Sequence, residues 1–339
     1  MQSLYRTIFQ KAWQIMLKFK YLLILGLFSS LIISDGEFSM VVRGFDVSTW
    51  QQAGLENLRD MYNSGFFHRF YANFLQLVQN DPLGFSGYAS LGLVIILAVI
   101  VMVVLAQSSL VYAINTHDKN RKTGLGDSLK QGKKFFWKAL GVQLMSRLTI
   151  YFLFIVITIP LLAWVLWQDA VNFVATLVFF IIVIPLSVII SFIGKYALIS
   201  VVTRGKGAIN AFYEGVGLFK KHWFVSIEMA VLLFLIHFAA LFALIVIGSL
   251  AALPFVLLAM LSLFLGSNAF ALLFVFLIAV IVVFLLAVFS GGLAVFQFAS
   301  WTLLFNELIR GKAVAKLERL LGTGAGARTG ATLTVSKKK

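Results

Sequence analysis

Apolar residues in this chain come in runs longer than the face of any soluble helix, separated by short polar linkers. The runs cover residues 21–34, 88–114, 139–167, 170–202, 224–253 and 269–305. A helix needs about 20 residues at 1.5 Å each to cross a hydrocarbon core of roughly 30 Å. The first run is too short, covering only about 21 Å, so its helix is predicted to begin near Trp13. The pattern therefore predicts an all-α integral membrane six-helix bundle, with spans at about 13–34, 88–114, 139–167, 170–202, 224–253 and 269–305. Residues 254–265 are apolar but only about 18 Å long as a helix; they either extend the fifth span or lie at the interface. Pro160 and Pro185 fall inside the third and fourth spans and are expected to kink them.

Between the runs the pattern turns amphipathic. In residues 1–20, Leu4, Ile8, Phe9, Trp13, Met16 and Leu17 recur at helical spacing, with Arg6, Lys11, Lys18 and Lys20 largely on the other side; such a segment lies on a membrane surface. Two linkers match each other at an offset of 83 residues. Leu129 then meets Phe212, Gly132 meets Gly215, Phe136 meets Phe219 and Lys138 meets Lys221. A looser copy covers residues 9–21, with Lys18 and Tyr21 meeting Lys220 and Trp223. The chain thus reads as three repeated helix-hairpin units, each a basic interfacial helix followed by two spans. Gly205, Gly207, Gly215 and Gly217 are expected to allow turns and close helix approach, Asp127 to cap the helix after its linker, and Ser290-Gly291-Gly292 to mark a kink or a close helix contact.

Charge orients the bundle. Residues 1–20 hold four bases and no acid, 115–138 seven and two, 203–222 four and one, and 306–339 eight and two. The opposite side, residues 35–87 with Asp169, holds three bases and seven acids. The positive-inside rule then places both termini and both basic linkers in the cytoplasm, for a multi-pass protein of the inner membrane. Residues 35–87 form the outer loop, where Phe66, Phe67, Phe70, Tyr71, Phe74, Leu77 and Val78 make an aromatic stripe suited to an amphipathic helix on the outer surface. One transmembrane domain spans 1–321, and 322–339 is a basic tail expected to be disordered. A cleavable signal peptide ending at Ser34-x-Gly36 is the competing reading of the first run.

With 61% hydrophobic and 12% charged residues and a mean hydropathy of +0.97, no soluble class fits. The net charge of +15 flanks apolar runs, so its expected partner is the anionic inner leaflet rather than nucleic acid. Lys133, Lys134, Lys138, Arg204, Lys206, Lys220 and Lys221 are the candidate headgroup contacts. Three charges lie within spans at a common depth: Arg147, Lys195 and Glu228. Unpaired charge in hydrocarbon is costly, so Glu228 is expected to face Arg147 or Lys195, as a structural pair or as a relay. His237 reads as a packed histidine. There is no cysteine, no metal-ligand spacing, no phosphate-cradling loop and no nucleophile elbow, so neither a cofactor nor an enzymatic activity is expected.

Ser109-Leu-Val-Tyr-Ala-Ile114 leading to Gly126-Asp-Ser-Leu129, and Tyr196-Ala-Leu-Ile-Ser-Val201 leading to Ala208-Ile-Asn-Ala-Phe212 and Lys221-His-Trp223, resemble the glycerophosphoryl diester phosphodiesterase membrane-domain family. The resemblance covers nearly the whole chain and implies a standalone six-span protein. That family's soluble phosphodiesterase domain has no counterpart here, so the resemblance carries over no catalytic residue. Three roles remain open at this level: a lipid- or partner-organising protein, a small transporter built around the three in-span charges, or a membrane subunit of a larger or homo-oligomeric assembly.

Overall fold

The computed structural model describes residues 4–30, 76, 78, 82–167 and 170–311. Among them are seven helices and no strand: α1 Leu4–Lys18, α2 Tyr21–Ser30, α3 Pro82–Asp118, α4 Leu125–Trp167, α5 Ala170–Arg204, α6 Ala208–Phe264 and α7 Asn268–Ile309. Five are long and apolar enough to cross a membrane, and six if α1 and α2 together make one bent span. The chain is therefore a multi-pass membrane protein. Each helix from α2 to α7 packs against its successor, and α7 packs back against α2. The result is a closed ring of six helices, with α1 laid against α7.

Several boundaries differ from those expected. The first helix does not run on from Trp13: α1 ends at Lys18, and α2 leaves it at 107°. Aromatic anchoring fixes this corner. Phe19 stacks on His117 at 3.5 Å between centroids, while the Tyr21 hydroxyl meets His117 Nε2 at 2.9 Å and donates to the Thr123 carbonyl. The face of α1 carrying Tyr5, Ile8, Ala12 and Ile15 is buried, and Phe9 stacks on Phe296 of α7. Helix α3 starts at Pro82 rather than at 88, since proline's fixed φ suits a first helical position. Helix α4 starts at Leu125, with the Ser128 amide bonded to the Gly124 carbonyl. Asp127 thus sits in the first turn, where it favours the helix dipole without being the cap. Residues 254–265 extend the fifth span, because α6 continues through Pro254 to Phe264. The linker helix and the span are one element interrupted only at His222, whose φ of −131° and ψ of 35° break the helix locally. The outer loop with its aromatic stripe, Asp169 and the tail beyond Gly311 lie outside the described residues, apart from Gln76, Val78 and the loop's last six positions, now in α3.

Glycines set the closest crossings. A Cβ on Gly26 would run into the Gly291 carbonyl oxygen and lie 2.7 Å from Val295 Cγ2; one on Gly291 would lie 2.8 Å from the Leu23 carbonyl. The stretch 290–292 is thus a close contact between α7 and α2. Gly215 approaches the Ile193 carbonyl of α5, with 2.7 Å to an added Cβ, whereas the space beyond Gly217 is open. Gly205 ends α5 at a φ of 71°, which L side chains rarely adopt.

The buried core lies at the end of the bundle that carries the basic linkers. Trp301, Tyr196, Phe192, Phe305, Leu110 and Ile114 are all fully buried there. The opposite halves of α3, α4, α6 and α7 present exposed leucine, isoleucine, valine and phenylalanine, as a lipid-facing surface does. At the core end Asp118, 5% exposed, gathers Lys11 of α1 and Arg310, each at 3.8 Å, and accepts a hydrogen bond from Asn306 of α7 at 3.1 Å. Asp118→Ala is expected to lower unfolding stability by about 1–3 kcal/mol and to loosen α1 toward protease. Asp118→Asn, which still accepts from Asn306, should fall between the two; denaturation followed by peptide mapping reads both effects.

Candidate functional site

Two of the three in-span charges meet at one cavity. An added Cβ on Gly194 of α5 would lie 2.6 Å from Ser146 Oγ of α4, so these helices nearly touch at that level. Each carries a cation one residue further on, Arg147 and Lys195. The space beside them, about 240 Å³, is bordered by α3, α4, α5 and α7 and open on one side. Its polar lining includes Gln107, Gln143, Ser146, Arg147, Lys195 and Gln297, and no carboxylate among the described residues lines it. Ile150, Tyr151, Phe154 and Phe298 complete the wall. Tyr151 and Phe154 are 55% and 41% exposed, so the opening faces the surroundings of the bundle along the apolar half of α4.

The polar groups divide into those held and those left free. Gln107 is buried; its side-chain amide donates to the Ser29 carbonyl at 3.4 Å, and its own side-chain carbonyl accepts from Gln143. The Lys195 ammonium lies 5.2 Å from the centre of the Trp301 ring, a cation–π contact. Arg147 forms no ion pair or hydrogen bond with any described residue. Gln297 is 6% exposed and likewise has no hydrogen-bond partner among the described residues, and the buried Trp301 Nε1 has none. Glu228 does not line the cavity; it accepts a hydrogen bond from the Tyr5 hydroxyl of α1. Arg147 and Lys195 thus line one space, and the Tyr5–Glu228 hydrogen bond links α1 to α6. His237, part-buried on α6, has its Nδ1 2.8 Å from the Leu233 carbonyl one turn back.

Gln107, Gln143 and Gln297 did not stand out in the sequence. A signal was present: Gln143, Ser146, Arg147 and Ile150 recur at i, i+3, i+4 and i+7 inside an apolar span, and Gln297 and Trp301 repeat the spacing on α7. A polar stripe within a span turns toward the bundle interior.

The basic segments divide in the same way. Glu214 receives Arg204 Nη1 and the Ser200 hydroxyl, with Lys206 Nζ at 3.1 Å. Lys138 donates to the Gly205 carbonyl at 2.9 Å, which ties the start of α4 to the α5–α6 turn. Arg204, Lys206 and Lys138 are thus engaged within the protein. Lys133, Lys134, Lys220 and Lys221 are exposed and have no ionic partner among the described residues. No group of three or more histidine, aspartate or glutamate side chains among the described residues is placed to hold a metal. No family model, curated protein or solved structure matches the chain.

Proposed function

We propose that the chain is a non-enzymatic inner-membrane protein, both termini cytoplasmic, that gathers anionic lipid around its basic cytoplasmic rim. The observation that carries this reading is the exposure of Lys133, Lys134, Lys220 and Lys221 in the first turns of α4 and α6, at the same end of the bundle and without ionic partners among the described residues. Lysines so placed each contribute about 1 kcal/mol of attraction to an anionic leaflet. The repeat supports a shared role for the two segments. Gly132 lies against Ser109 of α3, its added Cβ 3.0 Å from the Ser109 amide nitrogen, as Gly215 lies against Ile193 of α5. Each basic helix is thereby seated on the span before it, which leaves its lysines turned outward. The likeness to the phosphodiesterase membrane-domain family, carried by the motifs alone, agrees with a membrane role without catalysis.

Replacing all four lysines with glutamine tests the reading. Protein reconstituted in nanodiscs of phosphatidylglycerol and phosphatidylcholine is expected to enrich the anionic lipid several-fold over its bulk ratio. The fourfold variant should return close to the bulk ratio while keeping its fold. Equal enrichment by both proteins would remove the rim from consideration.

A further inference from the structure

The cavity beside Arg147 is built differently from the rim. A guanidinium placed inside an apolar span normally turns to a carboxylate or to backbone carbonyls, because uncompensated charge in hydrocarbon is costly. Among the described residues Arg147 has no such partner, and none that lines the space it borders is a carboxylate. Lys195 brings a second cation to the same wall, spread over the Trp301 ring. Two further lining residues lack partners among the described residues: Trp301, whose Nε1 is buried, and Gln297, which is 6% exposed. A buried polar group without a hydrogen bond is rare enough to call for an occupant. The unmet need of Arg147 is for an acceptor carrying negative charge, and the guanidinium fork matches the oxygens of a phosphate.

The shape says what carries that phosphate. At about 240 Å³ the space is smaller than the roughly 300–1,000 Å³ of common ligand pockets, enough for a headgroup and too small for a whole lipid. Its mouth runs past Tyr151 and Phe154, which are exposed on the apolar flank of α4. Arg147 lies nine residues beyond Lys138, about 13 Å deeper along the helix. We propose that this cavity holds the phosphate headgroup of one anionic amphiphile, drawn below the level of the rim. Arg147 is its ionic partner, Gln297 and Trp301 donate to it, and the acyl chain leaves between Tyr151 and Phe154. The inference goes beyond rim binding and uses different residues, so either stands without the other.

The test uses the full chain, delipidated in an uncharged detergent. It is titrated with phosphatidylglycerol, with phosphatidylcholine of the same acyl chains, or with inorganic phosphate. Native mass spectrometry counts bound lipid, and thermal melting reports occupancy. Phosphatidylglycerol is expected to saturate at one tightly held molecule per chain and to raise the melting temperature; the other two should do neither. Arg147→Gln should raise the half-saturating concentration about tenfold. Gln297→Leu should weaken binding without lowering the melting temperature of the lipid-free protein, and it decides the matter alone if Arg147→Gln does not fold. The fourfold lysine variant should keep the tight lipid. Retention of that lipid in both cavity variants overturns the proposal, as does its loss in the lysine variant, which would move the site to the rim. Saturation by inorganic phosphate would make the ligand a soluble anion and overturn the amphiphile.

Discussion

Gly26→Val is expected to destabilise the folded bundle by about 3 kcal/mol or more and to cut the yield of folded protein sharply. A Cβ at that position collides with the Gly291 carbonyl oxygen and presses on Val295, and Gly291 in turn faces the backbone of Leu23 and Leu27. The obstruction is backbone on both sides, so no side chain is free to swing away and α2 must leave α7. Overpacking in a well-packed core costs about 1–3 kcal/mol when neighbours adjust; here they have no room to adjust. In a membrane the loss is large in proportion, because helices associate there through close packing and lipid competes equally for apolar faces. Three controls separate this from a general intolerance of larger residues. Gly248→Ala and Gly217→Ala, with open space around them, should be near neutral. Gly292→Ala, whose added Cβ would lie 3.7 Å from Met16 Sδ, should be close to neutral as well. Chemical denaturation in detergent, read by circular dichroism, ranks the four variants, and equal losses in all would refute the crossing as the cause.

Trp301→Ala should cost about 3–5 kcal/mol, while Trp301→Phe should cost much less. The indole is 1% exposed and touches Phe192 and Tyr196 of α5 at 5.3 and 5.6 Å between ring centroids. Truncation to alanine opens a void where α7 meets α5 and withdraws the ring beneath Lys195. Phenylalanine keeps most of that volume and a π face. It sacrifices Nε1, which has no partner among the described residues, so lipid-free stability loses little by its removal. If Nε1 serves the bound headgroup, Trp301→Phe should instead weaken phosphatidylglycerol binding while the lipid-free melting temperature stays near that of the wild type. A large loss of lipid-free stability in Trp301→Phe would show that the indole nitrogen has a structural role and would count against an occupant.

How much of this was legible in the chain follows from what each feature depends on. Run length and linker charge are local quantities, so the helical class, the multi-pass character, the hairpins α4–α5 and α6–α7 and the basic end of the bundle all follow from reading along the sequence. Ser290-Gly291-Gly292 left a kink and a close contact open, and the approach of Gly26 to Gly291 decides for the contact. Helix continuity was harder to read. The apolar stretch 254–265 joins α6 because the pattern does not change at Pro254, whereas the corner at Phe19 and Lys20 breaks a helix that the length of a span requires to start near Trp13. That corner is set by His117 and Thr123, about a hundred positions away.

The site lies further still from what one-dimensional pattern determines. Depth along a helix places Arg147, Lys195 and Glu228 at one level, but partners depend on how each helix is rotated about its own axis. Rotation is decided by crossings such as Gly26 on Gly291 and Gly194 on Ser146. Those crossings turn Arg147 and Lys195 toward the space lined by Gln297 and Trp301, and Glu228 accepts a hydrogen bond from Tyr5. The sequence by itself determined which segments are apolar helices and which end of them is basic, because hydrophobicity acts on each segment independently. Only the tertiary structure decided which polar side chains share a space, because that depends on contacts between residues as distant in the chain as Tyr5 and Glu228.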